Sequence, residues 1–395
     1  MLKLKISQKL PVIMVLLAIL NSAVVGGIAV NKEVEAVTDA SKEELLSHSS
    51  ARADALSDYL HSIETDILGL ASNGNTVRAL QEFSAGWALL GADQTATLQR
   101  LYIDENPNKT GEKQLLDFAT DGSDYSRLHA AYHPQFRRYL DLKGLYDIFL
   151  FDTQGNLVYT VFKELDYATN LNTGQWKDTD LGNVFRAGLQ AKPGEVAFMD
   201  FKPYGPSHDV PASFISTPIV NANGTTIGVL AFQMPIGGIN NVMQYAEGLG
   251  ERADSVLYGT DFLARSDSRL SKDSIILKRK NDGEDVKLGL AGQKGTLIDE
   301  MDGQKSVSAY APVEFHGTHW VVASDEPLKD VQSEAIHAAE EILLIVAGVV
   351  AVIMVVSIFI SRSISKPISQ ITGVMRQLAS DDLTAWRSLA PRTTS

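Results

Sequence analysis

Two long apolar runs stand out, one near each end of the chain. Residues 10–30 are interrupted only by Asn21 and Ser22, and residues 342–360 contain no charged side chain. At about 1.5 Å per residue, either run can cross a hydrocarbon core of roughly 30 Å. The pattern predicts transmembrane helices over 10–30 and 342–361. A cleaved signal peptide is the alternative for the first run, although its apolar part usually has only about 7–15 residues.

Between these runs, the chain first shows helical periodicity. Apolar residues recur every three or four positions, which predicts a long helix with one apolar seam. The seam comprises Ala53, Leu56, Leu60, Ile63, Ile67 and Leu70. The seam can pack on its own domain, and we also expect its residues from 56 to 70 to pair two subunits in a homodimer. A turn-rich loop at 104–111 and a helix at 125–142 complete a helical base over 31–143.

After residue 144 the pattern changes to one typical of strands. Four strand–turn–strand units follow, and the second two repeat the order of the first two. The predicted strand pairs are 146–152 with 157–162, 212–220 with 226–233, 254–258 with 262–265, and 306–313 with 319–324. The sequence therefore predicts an α+β fold with two antiparallel-sheet modules, at 144–236 and 237–338.

The distribution of charge fits the two apolar runs. The formal net charge is −13, made up of +3 in residues 1–31, −19 in 32–341 and +3 in 342–395. Basic flanks mark the cytoplasmic side of membrane helices, so both termini, 1–9 and 362–395, are predicted to be cytoplasmic. An acidic body argues against nucleic acid as a partner. The absence of cysteine excludes disulfides, thiolate catalysis and cysteine-ligated metals.

Catalytic signatures are missing from the sequence. It contains no phosphate loop, dinucleotide fingerprint or Gly-x-Ser-x-Gly elbow. His129 and His133 lie four residues apart on a predicted helix, a spacing that a metal could use. A structural role is nevertheless favoured for them, and also for His316 and His319. We expect no enzyme, no cofactor and no metal site, and a surface hydrolase is the least favoured alternative.

Several of these segments match a known pattern. They are the turn at 152–158, the hairpin at 218–230 and the segment 265–269. Together with the two membrane helices, they resemble bacterial methyl-accepting chemotaxis proteins with a double-Cache sensory region, whose modules are PAS-like. Residues 361–372 are similar to the start of a HAMP relay helix, and 380–384 to its end. The implied signal-relay positions are Ile364, Pro367, Ile368, Ile371, Met375 and Leu378.

The resemblance implies a sensor in the bacterial inner membrane, with a periplasmic sensory region. Ligand binding would be relayed through the second membrane helix to a partial HAMP segment at 362–395. Because residues 386–395 depart from the HAMP pattern, we expect a truncated or frame-shifted chain without its output domain, or a natural short form. A chemotaxis kinase complex would be a partner only of a longer form. The alternatives are a non-signalling anchored binding protein, or the input half of a histidine kinase or cyclic-dinucleotide enzyme.

In such receptors the ligand usually lies in the membrane-distal module. By position, the resemblance implies a pocket at Tyr146, Phe149, Tyr159, Val161, Lys163, Trp176, Asp200, Tyr204, Ser213 and Gln233. The aromatic residues would enclose a small molecule, and Lys163 would neutralise a carboxylate; an ordinary core is the alternative. Gln233 stands where amino-acid-binding members have an aspartate, and residues 174–177 lack their Arg-x-Trp-Tyr motif. We therefore expect a small polar metabolite or an organic acid.

Overall fold

The structure is a computed structural model that describes residues 6–247, 249–301 and 303–379. It divides into two units, 42–328 and the terminal segments 1–41 with 329–395, and each is treated by itself. The α-helices are α1 (Ile6–Ala71), α2 (Gly74–Leu89), α3 (Gln94–Gln99), α4 (Asp124–Lys143), α5 (Asp180–Gln190), α6 (Ile236–Met243), α7 (Glu284–Leu290), α8 (Leu328–Val331) and α9 (Ser333–Ala379). The strands are β1 (Asp147–Asp152), β2 (Leu157–Thr160), β3 (Ala197–Tyr204), β4 (Val210–Val220), β5 (Thr226–Gln233), β6 (Asp254–Tyr258), β7 (Gly295–Met301), β8 (Gln304–Phe315) and β9 (Thr318–Pro327).

Strands β1–β5 form the first sheet module, an antiparallel sheet in the order β2-β1-β5-β4-β3. Its two predicted hairpins are present. In the first turn, the Asp152 carboxylate accepts the backbone N–H groups of Gln154 and Asn156, both at 2.9 Å. Gly155 supplies the positive φ that the turn needs, at 90°. Side-chain capping and one glycine thus explain why this hairpin is readable in the sequence.

Strands β6–β9 form the second sheet module, in the order β6-β9-β8-β7. The closing hairpin β8–β9 agrees with the prediction, but the strand predicted at 262–265 is wrong. This segment makes only isolated bridges, Tyr258 with Ala264 and Leu263 with Lys280. The Ser266 hydroxyl accepts the N–H of Leu257 at 2.9 Å, so a side chain takes a backbone donor that strand pairing would have used.

The largest apolar core lies between the helical base and one face of the first sheet. Leu80 and Phe83 of α2 and Phe136 of α4 meet Leu150 and Leu230 of the sheet there. The opposite face of the sheet is covered by α5 and is called the α5 face below. Both faces are buried, which explains why the central strands have nearly continuous apolar stretches rather than a clean alternation.

The predicted apolar seam of α1 is buried within this same core. The exposed fractions of Leu56, Leu60 and Ile67 are 0%, that of Ile63 is 3%, and Leu70 is half-buried. The structure therefore places these residues in contacts within the chain, the first of the two roles expected for them. A surface shared with a second subunit would have to use the exposed positions of α1 instead.

Helix α2 and strands β3 and β7 were not predicted individually. A register shift between Met199 and Lys202 breaks the alternation of β3, and β7 is a charged strand at the edge of its sheet. The strand predicted at 157–162 also ends early, at Thr160. In the three strands, local periodicity fails because a bulge, an edge position or a side-chain acceptor changes the backbone pairing.

The terminal unit contains two helical segments of membrane-spanning character. α1 and α9 are each long and apolar enough to cross a bilayer, with mean hydropathy of 2.4 and 3.2 over their most apolar 18 residues. Those stretches are almost entirely unburied within the chain, as expected for lipid-facing rather than core helices. Length and composition thus agree with the two predicted spans.

The predicted relay segment continues α9 without a break. Pro367 lies inside the helix, and apolar side chains at Ile364, Ile368, Ile371 and Met375 are exposed at spacings of four, three and four residues. Such spacing places them on one face of the helix. Leu378 belongs to α9, but its side chain and residues 380–395, which include the predicted HAMP helix end and divergent tail, lie outside the described residues.

A buried ion pair joins the two sheet modules. The Asp200 carboxylate in β3 accepts hydrogen bonds from Nε and Nη2 of Arg265, at 3.0 and 2.8 Å. It also accepts the indole N–H of Trp320 at 3.1 Å. The Arg265 side chain is only 3% exposed, and Asp261 is its second carboxylate partner, at 3.0 Å. Asp200 was predicted to contact the ligand, but the structure places it in this contact between modules.

Replacement Asp200→Asn is expected to destabilise the sensory region by about 2–4 kcal/mol, because it removes the charged bidentate partner of a buried guanidinium. Asp261→Asn is the matched control. Its carboxylate is 47% exposed, so its loss should cost about 1 kcal/mol or less. Urea unfolding of the full chain in detergent, followed by tryptophan fluorescence, measures both. Equal costs for the two variants would contradict the role assigned to Asp200.

Candidate functional site

The structure separates the predicted pocket residues into distinct places. Tyr146, Trp176 and Tyr204 surround the loop that follows β2, and Phe149 and Gln233 lie on the neighbouring α5 face. Tyr159, Val161 and Lys163 belong to the opposite side, against the helical base. Ser213 is buried in β4, and its hydroxyl has no hydrogen-bond partner in the part of the chain that the structure describes. The first group is linked to the loop after β2 by hydrogen bonds and is taken as the candidate site.

Asp147, the first residue of β1, helps to determine where strand β2 ends and the loop of the site starts. Its Oδ1 accepts the backbone N–H groups of Ile148, Val161 and Phe162, at 2.7, 3.0 and 3.1 Å. Its other oxygen accepts the hydroxyl of Thr160. The N–H of Phe162 is therefore satisfied by a side chain, whereas that of Val161 is shared between this carboxylate and the backbone carbonyl of Ile148 at 3.3 Å. Beyond them the chain turns into the loop that carries residues 163–167.

Two acidic residues of this loop accept hydrogen bonds from hydroxyl groups. Glu164 accepts the Tyr146 hydroxyl at 3.0 Å and also the hydroxyl of Ser207. Asp166 accepts the Tyr204 hydroxyl at 2.6 Å. The loop after β2 thus meets the start of β1 and the end of β3 through hydrogen bonds to carboxylates, which are stronger than those between neutral groups.

Burial changes the proton affinity of this carboxylate cluster. It raises the pKa of Asp147 to about 8 and that of Asp166 to about 7, and the pKa of Glu164 is also raised. Repulsion from neighbouring carboxylates adds to the effect, since Glu164 and Asp166 both raise the pKa of Asp147. The cluster therefore favours protons or other positively charged and hydrogen-bond-donating groups.

Aromatic rings form the wall beside this cluster. The ring of Tyr204 packs edge-on against Phe214 at 5.0 Å between centroids, and Phe214 packs against Phe149 at 6.2 Å. The indole N–H of Trp176 donates to the carbonyl of Leu165 at 3.2 Å, so this ring is tied to the acidic loop. Rings next to a few oriented polar groups are the usual composition of a small-molecule site.

Two buried acceptors of the site are left without donors. Oδ1 of Asp166 and Oε1 of Gln233 have no hydrogen-bond partner among residues 6–247, 249–301 and 303–379. Unpaired buried acceptors are costly, and a ligand with N–H or O–H groups would satisfy them. The carboxylates nearby would repel an organic acid. The geometry therefore favours a polar donor over the organic acid expected from Lys163.

Lys163 itself belongs to the core on the other side of the sheet. Its side chain is fully buried, with Nζ donating to the carbonyl of Val161 at 3.1 Å and lying 3.3 Å from Nε2 of His133. A left-handed backbone, with φ of 58°, accompanies this placement. Burial lowers the pKa of Lys163 to about 7. The amine is surrounded by protein, and the Asp147 carboxylate of the acidic cluster acts on its pKa in the direction opposite to burial.

The two histidines of α4 share that environment. His133 bonds the Tyr159 hydroxyl and the Gln114 carbonyl, both at 2.7 Å, and His129 bonds the Asp117 carbonyl at 2.5 Å. Burial lowers the pKa of both imidazoles, so they are neutral core groups. Within the described ranges, no three His, Asp or Glu side chains are arranged to hold a metal ion. His316 pairs with Glu64 at 3.3 Å.

Asp147, Glu164, Asp166 and Ser207 are site residues that sequence reasoning missed. The signal lay in the segment Lys163-Glu-Leu-Asp166, where two acids follow an apolar strand at a spacing of two. The lysine in the same segment predicted an anionic ligand. The acids were the residues that the fold brings together.

Comparison with known proteins adds an independent line of observation. A probable chemoreceptor, y4sI of Sinorhizobium fredii, is 24% identical over 388 residues, which cover 97% of this chain and 48% of the relative. The predicted resemblance to chemoreceptors is confirmed. The chemoreceptor-like chain spans about half the length of this curated relative. No protein-family model matches this chain.

Solved sensory domains were also found. The ligand-binding domain of the Pseudomonas aeruginosa amino acid chemoreceptor PctC, in complex with GABA, is 16% identical, with a TM-score of 0.38 over 69% of this chain and 94% of that domain. The periplasmic sensory domain of Campylobacter jejuni chemoreceptor Tlp1 is 13% identical, with a TM-score of 0.40 over 75% and 98%.

Lys163→Met is expected to stabilise the sensory region, and by more at neutral than at alkaline pH. Because the folded pKa lies below the ordinary value of 10.5, holding the lysine neutral costs more as pH falls from 10.5 to about 7. The gain in unfolding free energy should therefore be about 3 kcal/mol larger near pH 7.5 than near pH 9.5. Lys177→Met, at an exposed position of the same connection, is the control. A pH-independent gain would contradict the assignment of Lys163 to the core.

Proposed function

We propose that the chain is the sensory part of a membrane chemoreceptor, which binds a small polar molecule in its first sheet module. The observation that carries the proposal is the partly buried cluster of Glu164, Asp166, Tyr146 and Tyr204, whose carboxylates lie beside aromatic walls. The unpaired oxygen of Asp166 supports a ligand with N–H or O–H donors. Binding would occur without catalysis.

The two candidate spans support a membrane location. Their basic outer flanks favour cytoplasmic termini, so the acidic region between them would lie in the periplasm of a bacterial inner-membrane protein. This orientation is part of the proposal, as is the separation into a membrane-distal and a membrane-proximal module.

The same proposal includes signal relay and dimerisation. The exposed apolar face of α9 from Ile364 to Met375 would pack in a HAMP-type bundle and receive ligand-dependent movement of the second span. Two chains would pair along α1 through exposed positions such as Ala51, Ala55 and Asp58, because the apolar seam is already buried. Chemotaxis output and a kinase complex would require the signalling part of a longer protein.

Ligand binding is tested with the full chain in detergent, by thermal shift against a panel of small polar metabolites that includes organic acids for contrast. Compounds with amine, amide or hydroxyl donors are expected to raise the melting temperature. Asp166→Asn should weaken binding of such a compound about tenfold, since it replaces a charged acceptor. Asp209→Asn is the matched control, because it makes the same change at an exposed position of the β3–β4 connection. Binding that is insensitive to Asp166→Asn would place the ligand elsewhere.

Topology is testable because the chain contains no cysteine. Ser72→Cys, just after α1, should react with a membrane-impermeant maleimide in intact spheroplasts. Ser369→Cys, beyond the apolar part of α9, should react only after permeabilisation. Both positions are exposed, so reactivity reports the side of the membrane rather than burial. The reverse pattern would exclude a periplasmic sensory region.

A further inference from the structure

The second sheet module repeats one detail of the first. Asp254, the first residue of β6, pairs with Asp325 of β9, just as Asp147 of β1 pairs with Gln233 of β5. The Ser268 hydroxyl donates to Asp254, as a threonine hydroxyl does to Asp147. The last strand therefore carries a carboxylate at this position in the second module and an amide in the first.

The same register explains why the second module is open at this end. Phe149 and Phe214 of the first sheet correspond in register to Val256 and Ser308 of the second. The smaller side chain of Val256 lines a space at this end, where aromatic rings fill the first module. A cleft of about 470 Å³ lies there, a volume typical of small-molecule sites.

Both signs of charge line this cleft. Its polar and charged lining includes Asp254, Asp325, Tyr258, Ser306, Arg252 and Arg279. Carboxylates hold ammonium groups, and guanidinium groups are the side chains best suited to carboxylates. A molecule that carries both charges would therefore be matched at both kinds of side chain.

A further carboxylate, which is not part of the cleft lining, acts on Asp325. Asp285 of α7 is only 2% exposed, and its Oδ2 has no hydrogen-bond partner within the described part of the chain. Burial, and after it the charge of Asp285, raises the pKa of Asp325. Asp325 itself accepts the Ser308 hydroxyl and opens into the cleft. A ligand ammonium beside Asp325 would offset the repulsion between these two acids.

We propose that this cleft is a second ligand site, which binds a small zwitterion. Its ammonium group would lie at Asp254 and Asp325, and its carboxylate at Arg252 and Arg279. The site lies outside the first module and does not depend on the pocket proposed there. The sensory region would then respond to two small molecules, one in each sheet module.

Calorimetric titration of the full chain in nanodiscs tests the site with three probes: glycine, β-alanine and L-alanine. At least one is expected to bind, and methylamine and acetate, which each carry one of the two charges, should bind at least about tenfold more weakly. Absence of binding by all three at millimolar concentration would overturn the proposal. Equally tight binding of methylamine would overturn the zwitterion assignment.

Variants then locate the site. Asp325→Asn keeps an oxygen for the Ser308 hydroxyl but removes the charge, so zwitterion affinity should fall about tenfold or more. Asp282→Asn makes the same change at an exposed residue paired with Lys280 and should leave affinity unchanged. Loss of binding with Asp166→Asn but not with Asp325→Asn would place the zwitterion in the first module and refute the second site.

Discussion

The buried carboxylate of Asp147 is the interaction on which the candidate site depends. It accepts three backbone N–H groups and one hydroxyl, so it ends β2 and directs the chain into the acidic loop. Without it, the N–H group of Phe162 would need another acceptor at a partly buried position. The raised pKa of Asp147 shows how strongly burial opposes a charge there, and the hydrogen bonds from these groups are what keep the carboxylate in place.

The two sheet modules share a strand register at one end but carry different side chains there. Each begins with an aspartate that caps a neighbouring segment through a hydroxyl residue. In the first module, the rings of Phe149 and Phe214 close the end of the sheet, whereas Val256 lines an open cleft in the second. The ion pair between Asp200 and Arg265 ties the modules together, so a change in one has a direct route of contact to the other.

Part of the site was predictable and part was not. The structure brings Tyr146, Trp176 and Tyr204 of the predicted pocket together around the loop after β2, because aromatic residues near the ends of neighbouring strands converge once the sheet order is known. Lys163 and Asp200 lie elsewhere, because a charge in the sequence does not reveal its partner. Lys163, which has a left-handed backbone, lies on the opposite side of the sheet. Asp200 pairs with the guanidinium of Arg265, 65 positions away.

The sequence alone determined the two apolar helices, the hairpins with capped turns and the α+β character, because these follow from periodicity and local hydrogen bonding. Only the tertiary structure decided that the α1 seam is part of the chain's own core, that Ser266 replaces a strand pairing, and that acids rather than Lys163 line the candidate site. Those outcomes depend on groups distant in sequence competing for the same buried hydrogen bonds, and local pattern contains no information about which competitor succeeds.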